Sequence, residues 1–179
     1  MIKKINADFY RYTNGSKNPV KVLLQMFHNP GMLFSVLYRI ERHFLYESIS
    51  SMKIFGWILY PLYFFFTYYV LSYHIEPAVN MGKGLFIHNM DIVITDDVKI
   101  GKNFSIMGQT TIGTNFDTKG KIIIGDNVSV GAGAKIIASR DLRIADSVTI
   151  GANAVVVKSI LKKNSVWGGI PCKFIKYNS

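Results

Sequence analysis

The chain has 179 residues, a net charge of +10 and a pI of about 9.7. This length allows one domain with an appendage, and the basic balance favours an anionic partner such as a membrane surface or a phosphorylated ligand. Nucleic acid is a weaker candidate, because Lys and Arg are scattered and the sequence has no recognition-helix, zinc or RNA-sheet motif. The single Cys172 excludes an internal disulfide, and the lack of a signal-peptide pattern predicts a cytoplasmic location.

The first part of the chain is predicted to be helical. Within the mixed, basic segment 1–28, Asn14-Gly15-Ser16 indicates a turn. Residues 29–47 predict an amphipathic helix with Pro30 in its first turn. Its apolar residues recur on one face: Met32, Leu33, Val36, Leu37, Ile40 and Phe44.

Residues 54–73 carry no charge, and ten of these twenty residues are aromatic. The length suits a transmembrane helix. Pro61 and the interfacial preference of Tyr and Trp argue against a full span. The basic residues up to Lys53 would hold the N-terminal side in the cytoplasm, so a single span would place everything after residue 73 outside it. Two alternatives remain: a helical segment that dips into the inner face of the cell membrane, and a helix that packs between subunits.

From residue 79 to 157 an aliphatic residue returns about every sixth position. Neither a helix nor a lone strand has this period, which is typical of a solenoid of short parallel strands. We therefore predict a mainly β fold of about four coils, with a helical region at 1–73 and a solenoid domain at 74–179. The repeated residues are Met81, Ile87, Ile94, Ile100, Ile106, Ile112, Ile124, Val130, Ile136, Ile144, Ile150 and Val156.

Three interruptions break the period, and interruptions of a solenoid tend to lie on its binding face. One extra residue falls within 88–91, directly after Ile87. The segment 114–120 has no aliphatic centre and predicts a loop outside the coil. Two further residues are inserted near 139–141.

The segment 77–173 resembles the hexapeptide-repeat acyltransferases of the serine-acetyltransferase-like branch, which includes polysaccharide O-acetyltransferases. The matching motifs are Met81-Gly82-Lys83-Gly84-Leu85-Phe86-Ile87-His88, Thr110-Thr111-Ile112-Gly113, Ile124-Gly125-Asp126-Asn127-Val128-Ser129-Val130-Gly131-Ala132-Gly133-Ala134, Ile150-Gly151-Ala152-Asn153-Ala154-Val155-Val156 and Gly168-Gly169-Ile170-Pro171-Cys172-Lys173. The resemblance implies a left-handed parallel β-helix, acetyl-CoA as acyl donor, no metal, and a homotrimer with the CoA groove between neighbouring solenoids.

By this resemblance His88 is the catalytic general base, and imidazole suits that role near neutral pH. The family pairs this base with an Asp, but His74 stands at the matching position of this chain. His74 is therefore a candidate active-site residue. Asp91, Asp96 and Glu76 are candidates for the missing carboxylate, and Asp96 stands where the serine enzymes carry a Glu.

The resemblance also assigns binding residues. The backbone amides of Ala132 and Ala152 meet pantetheine, and Lys158 and Lys173 meet the rest of the CoA. Cations are suited to phosphate contacts. Lys121 stands where the serine enzymes carry a second His that contacts the acceptor, so it is a candidate substrate residue.

These departures favour an O-acetyltransferase that acts on a glycan hydroxyl of a surface polysaccharide or of its lipid-linked precursor. Serine O-acetyltransferase is the first alternative. A hexapeptide-repeat carbonic anhydrase needs three zinc-binding His residues, whereas the solenoid holds only His88, with His74 at its edge. A scaffold without catalytic activity is the last alternative, and His88 within its motif argues against it.

Overall fold

The structure is a computed structural model that describes residues 1–16, 18–115 and 120–178. Its N-terminal part is helical, with α1 to α4 at Ile2–Tyr12, Pro19–His28, Pro30–Arg42 and Lys53–Phe64. A π-helical segment at His43–Glu47 follows α3, another at Phe65–Val70 follows α4, and a 3₁₀ turn at Ser50–Met52 precedes α4. No helix of the described residues is both long and apolar enough to cross a membrane.

The remainder of the chain is a β-solenoid with three sheets. The first sheet contains β1 (Tyr73–Ile75), β4 (Ile92–Ile94), β7 (Thr111–Thr114), β10 (Lys135–Ala138) and β13 (Val155–Val156). The second contains β2 (Asn80–Met81), β5 (Val98–Ile100), β8 (Ile122–Ile124) and β11 (Leu142–Ile144). The third contains β3 (Phe86–Ile87), β6 (Ser105–Ile106), β9 (Ser129–Val130), β12 (Val148–Ile150), β14 (Ser165–Gly168) and β15 (Lys173–Tyr177).

The predicted period is confirmed by the strand register. Among the described strands, every pairing is parallel except that of β14 with β15. Met81 pairs in register with Ile100, and Ile87 with Ile106. The aliphatic residues point into the solenoid, where they are at most 3% exposed. Stacking therefore supplies a core that one repeat cannot form alone.

The predicted number of coils is too low, because the first sheet has five strands and the solenoid about five turns. The additional turn is made up of positions at both ends of the predicted repeats. Ile75 of β1 pairs with Ile94 ahead of the first repeat, and Ile160 and β14 pair with Ile144 and β12 after the last one. The insertions at 88–91 and 139–141 form the connections from β3 to β4 and from β10 to β11. Of the predicted loop 114–120, residues 116–119 lie outside the described residues.

Helix α3 covers the open edge of the first coil. An unpaired strand edge exposes backbone groups that need hydrogen-bond partners. Arg39 and Arg42 donate to five carbonyls of this edge at 2.6–3.0 Å, those of Pro77, Ala78, Val79, Met81 and Gly82. The Tyr38 hydroxyl donates to the Val79 carbonyl and accepts from the Met81 N–H.

Helix α1 completes this cover through Asp8. The Asp8 carboxylate accepts the N–H groups of Gly84 and Leu85 at 2.7 and 2.8 Å. It also forms an ion pair with Arg39 at 2.9 Å, and both side chains are at most 1% exposed. One buried pair thus ties two helices to the first coil, while the antiparallel β15 covers the last coil at the other end.

We expect Asp8→Ala to lower the free energy of unfolding by about 3–5 kcal/mol, because it leaves the buried Arg39 charge without its partner. Urea denaturation provides the measurement. Lys4→Ala is the matched control, since Lys4 pairs with Glu47 through side chains that are 31% and 29% exposed. Such a pair contributes at most about 1 kcal/mol. Equal losses in the two variants would contradict the structural role of Asp8.

Candidate active site

His88 lies at the corner where the chain leaves β3. Its backbone N–H donates to the Ile106 carbonyl at 3.0 Å, which fixes the start of the corner, while the side chain remains exposed. The imidazole meets the Phe86 ring edge to face, with ring centroids 4.3 Å apart. The insertion at 88–91 thus presents an imidazole to solvent on a backbone held by the sheet.

Helix α1 supports this corner from outside the solenoid. The Arg11 guanidinium lies 5.3 Å from the centre of the Phe86 ring and donates to the Gly84 carbonyl and the Ser105 hydroxyl at 2.6 and 2.7 Å. The Tyr12 hydroxyl accepts the Ile87 N–H at 2.8 Å and donates to the Ile87 carbonyl at 3.3 Å.

The surroundings of His88 change how readily its imidazole is protonated. Partial burial, and then the positive charge of Arg11, lower the pKa of the His88 imidazole below its ordinary value. The neutral form, which can accept a proton, is therefore favoured at neutral pH. Sequence reasoning missed Arg11 and Tyr12; the only signal was the i, i+3, i+4 spacing from Asp8, which places all three side chains on one helix face.

No carboxylate lies within ion-pair distance of His88 among the described residues. Asp91 is exposed at the end of the same corner, where its N–H donates to the Ser72 carbonyl. Asp96 is exposed beyond the far end of β4. The Glu76 carboxylate accepts the hydroxyls of Tyr60 and Tyr68 at 3.3 and 2.7 Å, so it is engaged elsewhere.

His74 lies on the outer face of β1 rather than beside His88. Its ring stacks on Tyr68 with centroids 4.7 Å apart and planes 11° apart. It lines one cavity of about 430 Å³ with Asp96 and another of about 330 Å³ with Asp91. The structure therefore brings His74 near both acidic candidates on the outer face of the first sheet.

Ala132 and Ala152 lie at the same corner of the solenoid as His88, in later turns, which are called levels below. The levels are joined by backbone hydrogen bonds from Met107 to Val130 and from Gly131 to Ile150. A Cβ at Gly131 would lie 2.6 Å from the backbone nitrogen of Ala152, so this corner requires a glycine. Lys173 is exposed at the start of β15.

Lys121 and Lys158 lie with Asp96 at the opposite corner, where the chain passes from the first sheet to the second. The backbone carbonyl of Asp97, next to Asp96, accepts the N–H of Ile122, and the Lys121 carbonyl accepts that of Leu142. Lys158 lines a cavity of about 430 Å³ at this corner. A strand of three residues at ~3.3 Å each separates the two corners by roughly 10 Å or more, so one chain does not unite His88 with Lys158.

No protein-family model matches the chain, and no curated protein matches its sequence. Solved structures do match. Serine acetyltransferase from Brucella abortus strain S19 gives a TM-score of 0.80 at 22% identity, covering 99% of this chain and 70% of that chain. The Neisseria gonorrhoeae enzyme gives 0.80 at 25% identity, covering 99% and 67%. The soybean apoenzyme gives 0.77 at 26% identity, covering 97% and 68%.

The fold is that of the serine acetyltransferases. The resemblance inferred from the hexapeptide motifs is confirmed, and the shared fold extends to the N-terminal helices, because the match covers 99% of the chain. The Brucella abortus enzyme has also been solved in complex with coenzyme A, at 23% identity and a TM-score of 0.80. Within the described residues, no group of His, Cys, Asp and Glu side chains is arranged to hold a metal ion, so the zinc alternative gains no support.

We expect Arg11→Gln to raise the pKa of His88, because removal of the guanidinium charge makes the imidazolium less unfavourable. An NMR titration of the imidazole C–H signals measures this pKa. Lys162→Gln is the control, since Lys162 is a cation at the opposite end of the solenoid, over Phe174. An unchanged His88 pKa in Arg11→Gln would contradict the electrostatic role of Arg11.

Proposed function

We propose that the protein is an acyl-CoA-dependent O-acetyltransferase with His88 as its general base. The observation that carries the proposal is an exposed imidazole with a lowered pKa, at the head of a corner whose later levels present Ala132 and Ala152. The match to serine acetyltransferases, including one complex with coenzyme A, supports the same chemistry.

In this mechanism, neutral His88 accepts the proton of the acceptor hydroxyl as its oxygen attacks the thioester carbonyl of acetyl-CoA. The C–S bond then breaks, and the imidazolium returns the proton to the CoA thiolate. The acceptor gains an acetyl ester, CoA leaves as the thiol, and His88 is again neutral. No carboxylate of the described residues contacts His88, so the Phe86 ring and the backbone held by Tyr12 orient the imidazole.

The CoA groove is proposed to form between two neighbouring solenoids of a homotrimer. Ala132 and Ala152 supply backbone groups along the corner that carries His88, and Lys173 follows near the end of this corner. Lys158 belongs to the opposite corner of the same chain. A neighbouring chain can bring its Lys158 corner next to His88, which gives the physical reason for an oligomer.

We expect His88→Ala to lower kcat by about 10²- to 10⁴-fold, the usual contribution of a general base. The folded state and CoA binding should be retained, because the imidazole makes no buried hydrogen bond among the described residues. Release of free CoA measures turnover, and calorimetry with CoA measures binding. Near-normal turnover of the purified variant would remove His88 from the mechanism.

The same assay tests the shared groove. Lys158→Glu alone is expected to raise the KM for acetyl-CoA. Co-expression with His88→Ala should recover activity above that of either variant at an acetyl-CoA concentration well below the raised KM. Recovery follows because some grooves then pair a native His88 with a native Lys158. A mixture with no recovery, or a monomer by light scattering that retains activity, would contradict this arrangement.

Two acceptors remain, and the comparisons favour L-serine. The matched structures from Brucella abortus, Neisseria gonorrhoeae and soybean are all serine acetyltransferases. A glycan hydroxyl is the second candidate, favoured by residues of this chain. His74 replaces an expected Asp, and Lys121 replaces an expected His.

With acetyl-CoA in excess, we expect L-serine to release CoA well above the rate without acceptor and to yield O-acetylserine. A panel of methyl pyranosides and capsular oligosaccharides is the comparison, assayed at the same concentrations. Release with glycans but not with L-serine would reverse the order of the two candidates. The rate of CoA release by the His88→Ala variant is subtracted from each rate, because it measures acetyl-CoA hydrolysis that does not depend on the imidazole.

We further propose that the uncharged helical region contacts the inner face of the cell membrane. Along 54–70 large apolar side chains are 39–72% exposed: Ile54, Phe55, Trp57, Ile58, Leu62, Phe65, Phe66, Tyr69 and Val70. On α2, Val20, Leu23, Leu24 and Phe27 are 55–80% exposed. Contiguous apolar surface of this kind is typical of a membrane or protein contact, and the net charge of +10 favours an anionic lipid surface.

We expect the protein to co-sediment with vesicles that contain phosphatidylglycerol, and the double variant Trp57→Ser/Phe65→Ser to bind at least about tenfold more weakly. Each inserted apolar side chain contributes on the order of 1.5–3 kcal/mol. Ile175→Ser on β15 is the matched control, because Ile175 is 59% exposed at the far end of the solenoid. If the protein does not bind vesicles and the double variant instead has a lower oligomer mass, the segment packs between subunits and the membrane proposal is wrong.

A further inference from the structure

A groove between α3 and α4 contains an acidic side chain without a hydrogen-bond partner among the described residues. The groove has a volume of about 370 Å³ and is lined by Leu33, Leu37, Leu59, Leu62, Phe66 and Glu41, among others. This volume lies in the range of small-molecule pockets, which is roughly 300–1,000 Å³. Glu41 is the only charged residue among the lining residues, and it is 2% exposed.

The Glu41 carboxyl has no hydrogen-bond partner among the described residues, and its Oε1 is fully buried. The nearby hydroxyls are committed elsewhere. The Tyr63 hydroxyl donates to the Ile75 carbonyl, and the Tyr60 hydroxyl donates to Glu76. A buried acceptor without a partner is costly, so the site is suited to an external donor.

Burial alone raises the pKa of Glu41 to about 7. Near neutral pH the carboxyl is therefore partly ionised, and it can accept a hydrogen bond from a neutral or a cationic donor. A carboxylate or phosphate end would repel the ionised form and offers no proton to it. The groove thus selects the polar end of its occupant by charge and its remainder by apolar contact.

We propose that this groove binds the hydrocarbon chain of an amphiphile whose hydrogen-bond-donating end, a hydroxyl or an ammonium group, pairs with Glu41. The rim of the groove supports a lipid-derived occupant, because Leu62 and Phe66 are 56% and 39% exposed and continue into the apolar surface at 54–70. Residues 54–73 carry no charge, so this segment places no charged side chain between a lipid surface and the groove. The proposal goes beyond acetyl transfer and does not depend on it.

Calorimetric titration of the full chain with decylamine, 1-decanol and decanoate tests the selection. Decylamine and decanoate are kept below their micelle concentrations, and decanol below its solubility limit. We expect saturable binding of one decylamine or decanol per chain, at least tenfold tighter than decanoate. This order opposes the net charge of +10, which would attract decanoate. Binding of only decylamine would assign an amine as the natural end group, and binding of only decanol would assign an alcohol.

Glu41→Gln should reduce decylamine affinity at least tenfold and leave decanol affinity within threefold. Leu62→Ser, at the exposed rim, should weaken all chains, whereas Phe27→Ser on α2 should weaken none. Decanoate binding equal to that of decylamine, or unchanged decylamine affinity in Glu41→Gln, would overturn the proposal. So would the absence of saturable binding to the wild-type chain, which is the result expected if a second copy fills the groove.

Discussion

The structure depends on how the open edge of the first coil is satisfied. A parallel solenoid leaves unpaired backbone groups at each end, and such an edge invites pairing with other chains. Here the carbonyls of residues 77–79, 81 and 82 accept hydrogen bonds from Arg39, Arg42 and Tyr38, and Asp8 accepts the N–H groups of 84 and 85. The buried charges are compensated because Asp8 and Arg39 pair directly. The helices are thus the cap of the solenoid as well as an appendage to it.

This cap also forms one side of the candidate active site. Asp8, Arg11 and Tyr12 lie within a turn and a half of α1, so the residue that holds the first coil is rigidly linked to the residues beside His88. Arg11 is fixed by backbone and hydroxyl acceptors, and its charge disfavours the imidazolium. Stability and the protonation of His88 are therefore coupled through one helix, and a loss of α1 packing would disturb both.

The uncharged segment 54–73 is divided by the fold into two faces with different roles. Tyr63 and Thr67 are buried and join the helices to β1, whereas Trp57 and Phe65 remain largely exposed. The buried face explains why the segment is apolar toward the solenoid, but it leaves the outer face and the Glu41 groove without partners among the described residues. Both features are consistent with a lipid surface as the neighbour of this region.

The sequence by itself determined the solenoid, because a six-residue period is a local repeat, and all twelve predicted aliphatic residues lie in the core. It also located His88 by an interruption of that period. Tertiary structure alone decided the cap, the added strands β1 and β14 at the two ends of the solenoid, and the separation of His88 from Lys158. These features rest on contacts between residues far apart in sequence, such as Arg11 with Gly84 and Arg39 with Met81, 73 and 42 positions apart. A sequence period cannot predict such contacts, because they form only when helices of ordinary amphipathic pattern pack on a particular edge of the solenoid.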